Sequence, residues 1–188
     1  IDQLQVSWFQ SATLRTAGFA SVDMGALNTA TKFMMCLIMF IGGSPAGTAG
    51  GIKTVTFALG ILEVYHIYHG HKEVSLFNRR IPKHLIVRSF AIISMALSLV
   101  LISIFILSIT ESAPFIDICF EVVSAFATVG LTAALTPSLT SVGKIIIIIL
   151  MYIGRIGPIT MIISFARKSY LKANQKELKY PDGNVLIG

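Results

Sequence analysis

Two Thr-x-Gly motifs have the residue types and the spacing that could handle a cation. They are Thr16-Ala17-Gly18 and, 112 residues later, Thr128-Val129-Gly130. Glycine permits backbone conformations that turn successive carbonyl groups to one side, and such carbonyls can replace the hydration shell of an ion. The motifs predict an ion filter, with K⁺ at carbonyl oxygens as its only metal; the alternative is a plain turn at a helix end.

The same offset relates residues beyond the two motifs. Lys32 maps onto Lys144, and the string MFIG at Met39–Gly42 maps onto MYIG at Met151–Gly154. Each copy consists of a short polar approach, the Thr-x-Gly turn and a long apolar segment. We therefore predict an internal duplication.

The composition indicates a multi-pass, all-α membrane protein. The 188 residues are 54% hydrophobic and only 13% charged, whereas about 25% of residues are charged in a soluble domain. Ten of the 15 Lys and Arg residues lie in the windows 66–88 and 166–188. Basic residues beside apolar segments mark cytoplasmic loops, so the net charge of +6 predicts orientation, with a cytoplasmic C-terminus, rather than nucleic-acid binding.

The apolar segments predict the order of the elements. The stretches 1–14 and 114–127 are too short to span a bilayer, which needs about 20 residues, and are interpreted as half-helices that turn back. The segment 27–68 is interrupted near its middle, whereas 85–109 and 144–165 are predicted to span. The acid-bearing connections 110–121 and 136–144 are placed outside. The first residue is Ile1, which predicts a fragment.

The interrupted segment contains GGSPAGTAGGIKT, and five glycines and one proline lie within Gly42–Gly51. A slack loop of small residues beneath the filter is interpreted as a gate; the alternative is a helix kink. Arg155 lies 11 residues after Lys144, about 16 Å deeper in a helix, where an ionisable residue is a functional candidate. The candidate gate residues are Gly42, Gly43, Ser44, Pro45, Ala46, Gly47, Thr48, Ala49, Gly50, Gly51, Lys53 and Arg155.

Other functions were weighed against this interpretation. The string GTAGGIKT lacks the glycine directly before Lys53 that a phosphate loop needs, because Ile52 stands there. Ser44 could be the nucleophile of an intramembrane protease, with Lys53 as the base. A coupled secondary transporter with a broken helix at its substrate site is a further alternative. The four histidines, within 66–84, are expected on a solvated surface, and Cys36 and Cys119 as buried thiols.

The motifs TLRTAGF, FATVGLT, GGSPAGTAGGIKT and GRIGP together resemble the Trk/Ktr/HKT potassium transporter superfamily. The resemblance covers nearly the whole chain and implies the last two of four helix–pore loop–helix repeats. It implies a third repeat at 1–70, a cytoplasmic connection at 71–84, a fourth repeat at 85–168 and a cytoplasmic tail at 169–188. Gly18 and Gly130 would be filter glycines.

The resemblance also implies what the protein transports and binds. K⁺ would be the substrate, moving passively across the plasma membrane, with no enzymatic activity and no cofactor in this chain. The expected partners are membrane lipid, the two missing N-terminal repeats of the same polypeptide, a second copy in a homodimer, and a cytoplasmic ring of regulatory subunits that binds nucleotide.

Overall fold

The computed structural model describes residues 2–45, 47, 49–70, 73–76 and 79–157. Six helices dominate this part of the chain, which confirms the all-α prediction. They are α1 (Asp2–Thr13), α2 (Thr29–Phe40), α3 (Thr54–Tyr68), α4 (Lys83–Thr110), α5 (Phe115–Phe126) and α6 (Ser141–Ile156), with a 3₁₀ turn at Thr136–Ser138.

The two predicted half-helices are α1 and α5, of 12 residues each. At 1.5 Å per residue each is about 18 Å long, too short for a hydrocarbon core of about 30 Å. Pro114 is the N-cap of α5 rather than a residue of its first turn. Each half-helix ends directly before a Thr-x-Gly motif, as the sequence predicts.

The break in the segment 27–68 is confirmed, because α2 and α3 are separate helices of 12 and 15 residues. The predicted repeat is also visible at the helix starts. The side chain of Asn28 caps α2 by accepting a hydrogen bond from the amide of Ala30 (3.0 Å). The side chain of Thr140, 112 residues later, caps α6 by accepting from the amide of Gly143 (3.1 Å). Both caps satisfy amides that a helix leaves unpaired at its N-terminus.

Among the described residues, α4 is the helix long and apolar enough to cross a membrane by itself. Its 28 residues extend the predicted span 85–109 at both ends. The connection before it holds a feature that the sequence did not predict, a two-residue strand pair of β1 (Ser75–Leu76) and β2 (Arg79–Arg80). The helix α6 begins three residues before the predicted Lys144. Its predicted continuation to 165, and the tail 169–188, lie outside the described residues.

The core is built around α5, which packs against α2, α4 and α6. The residues from Phe120 to Phe126 are all buried. In contrast, large apolar side chains are exposed on the outer helices, such as Tyr68 on α3 and Phe105 and Ile109 on α4. This distribution, with apolar side chains outside and carboxylates inside, fits an apolar solvent around the helices.

Candidate functional site

The two Thr-x-Gly motifs adopt the same backbone conformation. Thr16 and Gly18 have φ of 66° and 78°, and Thr128 and Gly130 have φ of 52° and 91°. The middle residues, Ala17 and Val129, do not have positive φ. Positive φ costs little for glycine and more for threonine. Alternating backbone hands over three residues change the direction of successive carbonyl groups, which is what an ion filter of backbone oxygens requires.

The amides of both motifs are turned back to the preceding half-helix. Ala17 N donates to Thr13 O (3.1 Å), and Val129 N donates to Ser124 O (2.9 Å). The C-terminal ends of α1 and α5 therefore lie against the motifs, and a helix C-terminus carries partial negative charge. Both the bonding and the dipoles favour a cation near the motif carbonyls.

The two motifs lie directly against each other, although 112 residues separate them. A Cβ added to Gly18 would overlap the carbonyl oxygen of Val129. A Cβ added to Gly130 would lie 3.9 Å from the Cα of Gly18. The sequence predicted two equivalent motifs, and the structure brings the two backbones into contact.

Hydroxyl groups brace the residue that follows each glycine. Ser124 Oγ donates to Leu131 O (2.6 Å). In the other copy, Phe19 N donates to Thr13 Oγ1 (2.8 Å), and this hydroxyl donates to Phe19 O (2.8 Å). These bonds fix the strand that leaves each motif. The sequence analysis missed Thr13 and Ser124, although both are hydroxyl residues near the end of an apolar half-helix.

The glycine-rich loop lies against the second motif. A Cβ added to Gly50 would overlap Thr128 Oγ1 and lie 2.8 Å from Ala127 O. Thr128 Oγ1 is itself buried without a hydrogen-bond partner among the described residues. Gly51, with φ of 70°, packs against Ala127 and donates its amide to Gly154 O (3.3 Å). The loop therefore contacts both the motif and α6, and glycine permits this close approach.

The two ends of the loop are bonded to each other. Gly42 N donates to Ile52 O (2.8 Å), and Thr54 N donates to Gly43 O (3.2 Å). Lys53 Nζ donates to Gly47 O (3.4 Å) and also to Ala49 O. Within the described part of the loop, Lys53 thus contacts carbonyl groups rather than the hydroxyl of Ser44, which is not the pairing that a Ser–Lys protease needs. The predicted gate residues Ala46 and Thr48 lie outside the described residues.

Arg155 follows Gly154 on α6, so it lies one residue from the carbonyl that holds the loop. Its side chain is exposed in this chain. Because α6 is helical from Lys144 to Arg155, the predicted separation of about 16 Å along the axis applies. The structure brings Arg155 to the side of the loop that faces α6.

A carboxylate that the sequence analysis treated as a loop charge lies beside the second motif. Glu121 on α5 is 5% exposed. It accepts hydrogen bonds from Thr132 Oγ1 (2.9 Å) and from Thr136 Oγ1. Together with Thr128 and Gly130, these residues line a cavity of about 320 Å³. A lone carboxylate in an otherwise apolar helix was the signal that could have identified it.

The arrangement suits a desolvated cation more than a reaction or a transition metal. Its polar atoms are backbone carbonyl oxygens, hydroxyl groups and helix C-termini, which are hard ligands. In the described part of the chain, His, Cys, Asp and Glu side chains form no group of three that could hold a metal ion. Cys36 and Cys119 are free thiols, as predicted.

Comparison with known proteins gives a family and several relatives. The profile of the TrkH family, described as a cation transport protein, matches residues 2–174. The Ktr system potassium uptake protein B of Bacillus subtilis is 47% identical over this whole chain, which covers 41% of that protein. The potassium/sodium uptake protein NtpJ of Enterococcus hirae is 38% identical over 193 residues, and this chain covers 42% of it. The chain thus spans about two fifths of the length of these relatives.

Proposed function

This chain belongs to the TrkH family of cation transport proteins, and from that membership we propose that it forms part of the wall of a pore for K⁺. The family is a family of membrane proteins, which confirms the sequence-based prediction of an all-α membrane protein. The relatives are named as uptake proteins, not as enzymes. The predicted serine protease and nucleotide-binding alternatives therefore receive no support.

One observation carries the proposal: two Thr-x-Gly turns with alternating backbone hands lie against each other at the ends of two half-helices. Carbonyl oxygens in such a cluster replace the water that a conducted ion loses. In the proposal, the carbonyls of Thr16–Gly18 and Thr128–Gly130 line two sides of the ion path. The remaining sides would come from the repeats that the longer relatives have and this sequence lacks.

The loop 42–51, with Lys53 and Arg155, is proposed as the gate below the filter. The contact between Gly50 and Thr128 supports a position at the inner end of the second motif. The hydrogen bonds at Gly42, Thr54 and Lys53 support a loop that moves as one unit from fixed ends. Arg155 would add a positive charge that opposes cation passage while the loop is in place.

The names of the relatives support a partner as well. "Ktr system" denotes a protein that works within a system of components. We therefore propose that the full-length protein is the membrane subunit, that it forms a homodimer, and that a cytoplasmic ring of nucleotide-binding subunits controls the loop. The plasma membrane is the proposed location, with the C-terminus in the cytoplasm.

A second candidate is an ion-coupled secondary transporter, in which the broken segment α2–α3 would hold the substrate site. The name potassium/sodium uptake protein, given to NtpJ, favours considering Na⁺ as a coupled ion. Coupling predicts that K⁺ uptake stops when Na⁺ is removed from both sides. A pore predicts K⁺ flux in either direction along its electrochemical gradient.

The test uses the full-length protein with its partners in cells that lack other K⁺ uptake. K⁺ and Na⁺ uptake are measured at graded concentrations, and flux is repeated in vesicles with and without Na⁺. Preferential K⁺ flux without Na⁺ is the expected result. Equal K⁺ and Na⁺ flux would contradict the filter, and an absolute Na⁺ requirement would favour coupling.

A further inference from the structure

The outer surface of α3 and α4 contains an apolar groove that the proposed pore does not use. Its walls come from both helices and enclose about 480 Å³, lined by Phe57, Gly60, Ile61, Val64, Tyr65, Tyr68, Phe90 and Ile93. Gly60 forms its floor, because a Cβ there would lie only 3.2 Å from the Cδ1 of Ile93. A groove of this kind on a membrane protein has the shape and chemistry of an acyl-chain site.

One end of the groove is polar and basic. Tyr65 and Tyr68 lie at the end of α3, and tyrosine marks the level of lipid headgroups. At the same end of the helix pair, where α4 begins, Arg80, Lys83 and His84 line a second cavity of about 470 Å³. Since 83 and 90 differ by two helical turns, Lys83 lies on the face of α4 that carries Phe90.

The charge at this end is available to a ligand. Arg80 pairs with Glu73 (2.8 Å), and both side chains of that pair are about half exposed or more. Lys83 and His84 are exposed in the first turn of α4, which has no acidic residue. A helix N-terminus adds partial positive charge. An anion above an apolar groove is the complement of this arrangement.

We propose that the α3–α4 groove binds an anionic phospholipid, with one acyl chain along Gly60 and Phe90 and the phosphate at Lys83 and His84. Basic pockets between membrane helices bind anionic headgroups in the cytoplasmic leaflet, which is where the positive-inside rule puts this end. The inference rests on the membrane location of the family and is independent of K⁺ conduction. Lipid bound there would hold the C-terminal part of the broken segment, α3, against α4.

The test measures retained lipid on the full-length protein by native mass spectrometry in detergent. Palmitoyl-oleoyl-phosphatidylglycerol and the matching phosphatidylcholine are added at equal concentrations. The wild-type protein is expected to retain phosphatidylglycerol in preference. Lys83→Gln with His84→Gln should raise the half-saturating phosphatidylglycerol concentration at least fivefold, whereas Arg88→Gln, an equal charge loss on the same helix, should leave it unchanged. Free glycerol 3-phosphate should not compete.

The groove itself is tested by filling it. Val64 is 60% exposed, so Val64→Trp can enter the groove without repacking the core, and it should abolish the preferential retention. Ile109→Trp, at the far end of α4, should not. Equal retention of the two lipids, or identical behaviour of the Lys83/His84 and Arg88 variants, would overturn the proposal. So would a Val64→Trp variant that loses its dimer but keeps the lipid, since a second copy would then occupy the groove.

Discussion

Lys32 Nζ lies 2.7 Å from Asp117 Oδ1, and this ion pair joins the start of α2 to the first turn of α5. The two side chains are only 7% and 17% exposed. Lys32 also donates to the carbonyl of Gly25 (3.0 Å), at the end of the strand that leaves the first motif. The pair therefore connects the two repeats at the level where both motifs begin.

The first prediction is that Lys32→Met destabilises the full-length protein by about 3–5 kcal/mol, the usual cost of leaving one member of a buried pair uncompensated. Asp117→Asn alone should also destabilise. The double variant should be clearly more stable than the sum of the single effects predicts, because no buried charge remains. Thermal unfolding in detergent measures all three, and additive effects would show that the pair is not coupled.

The helices and their breaks could be predicted from the sequence because their causes are local. Runs of apolar residues have the length of a span or of half a span, and glycine and proline interrupt them at 42–51. The filter and loop predictions also rest on local composition. What they do not contain is the contact between Gly18 and Val129, which depends on packing between residues more than 100 positions apart.

The carboxylates show the limit more sharply. Glu111 and Glu121 were predicted to lie in outer connections, yet they are 8% and 5% exposed. Glu111 accepts the amide of Thr140 (3.1 Å), which joins the end of α4 to the start of α6. Charge patterning assigns a side of the membrane, but it cannot tell a solvated acid from one whose hydrogen-bond donors arrive from a distant segment. Lys32 was noticed only as a marker of the repeat.

The second prediction separates the two filter glycines. Gly130→Ser has room for its Cβ but must adopt a φ of 91°. It should assemble and lose part of its preference for K⁺ over Na⁺, because the strain and the added hydroxyl disturb the carbonyl positions. The measurement is the ratio of K⁺ to Na⁺ uptake at matched expression. An unchanged ratio would contradict the assignment of Gly130 to the filter.

Gly18→Ser should have the larger effect, because its Cβ would overlap the carbonyl oxygen of Val129 and its φ is also positive. We expect loss of K⁺ uptake, not only a change of selectivity. Uptake and the amount of folded protein are measured together for both variants. Equal behaviour of Gly18→Ser and Gly130→Ser would show that the contact between the two motifs does not exist in the working protein.

The third prediction concerns the hydroxyl that braces the second motif. Ser124→Ala removes the donor to Leu131 O and leaves a buried carbonyl unpaired, at a cost of about 1–3 kcal/mol. We expect a lower ratio of K⁺ to Na⁺ uptake together with a modest loss of thermal stability. Ser103→Ala is the matched control, because Ser103 is buried and donates only within its own helix, to Leu99 O (2.8 Å). Equal uptake ratios in the two variants would contradict the role of the brace.

The fourth prediction tests the bond that holds the loop. Lys53→Met keeps the aliphatic stem but removes the donor to the carbonyls of Gly47 and Ala49. If the loop is the gate, the variant should carry more K⁺ in the absence of the regulatory partner, with selectivity unchanged. Lys53→Arg should keep flux near the wild-type value. Flux measured in vesicles that hold only the membrane subunit gives the comparison, and wild-type flux in Lys53→Met would refute the bond as a restraint on the gate.

The last prediction addresses the gate as a whole. Removing residues 46–50 takes away the contact with Thr128, and should raise maximal K⁺ flux while weakening control by the regulatory partner. Arg155→Ala should also raise flux. A unit charge 4 Å from a passing cation costs about 4 kcal/mol at an effective dielectric of about 20, and water reduces that figure. Arg155→Lys keeps the charge and should keep flux low. Selectivity should persist in all three variants, because the filter is untouched. If the deletion and Arg155→Ala both assemble yet carry wild-type flux, the loop is a kink and Arg155 an anchor.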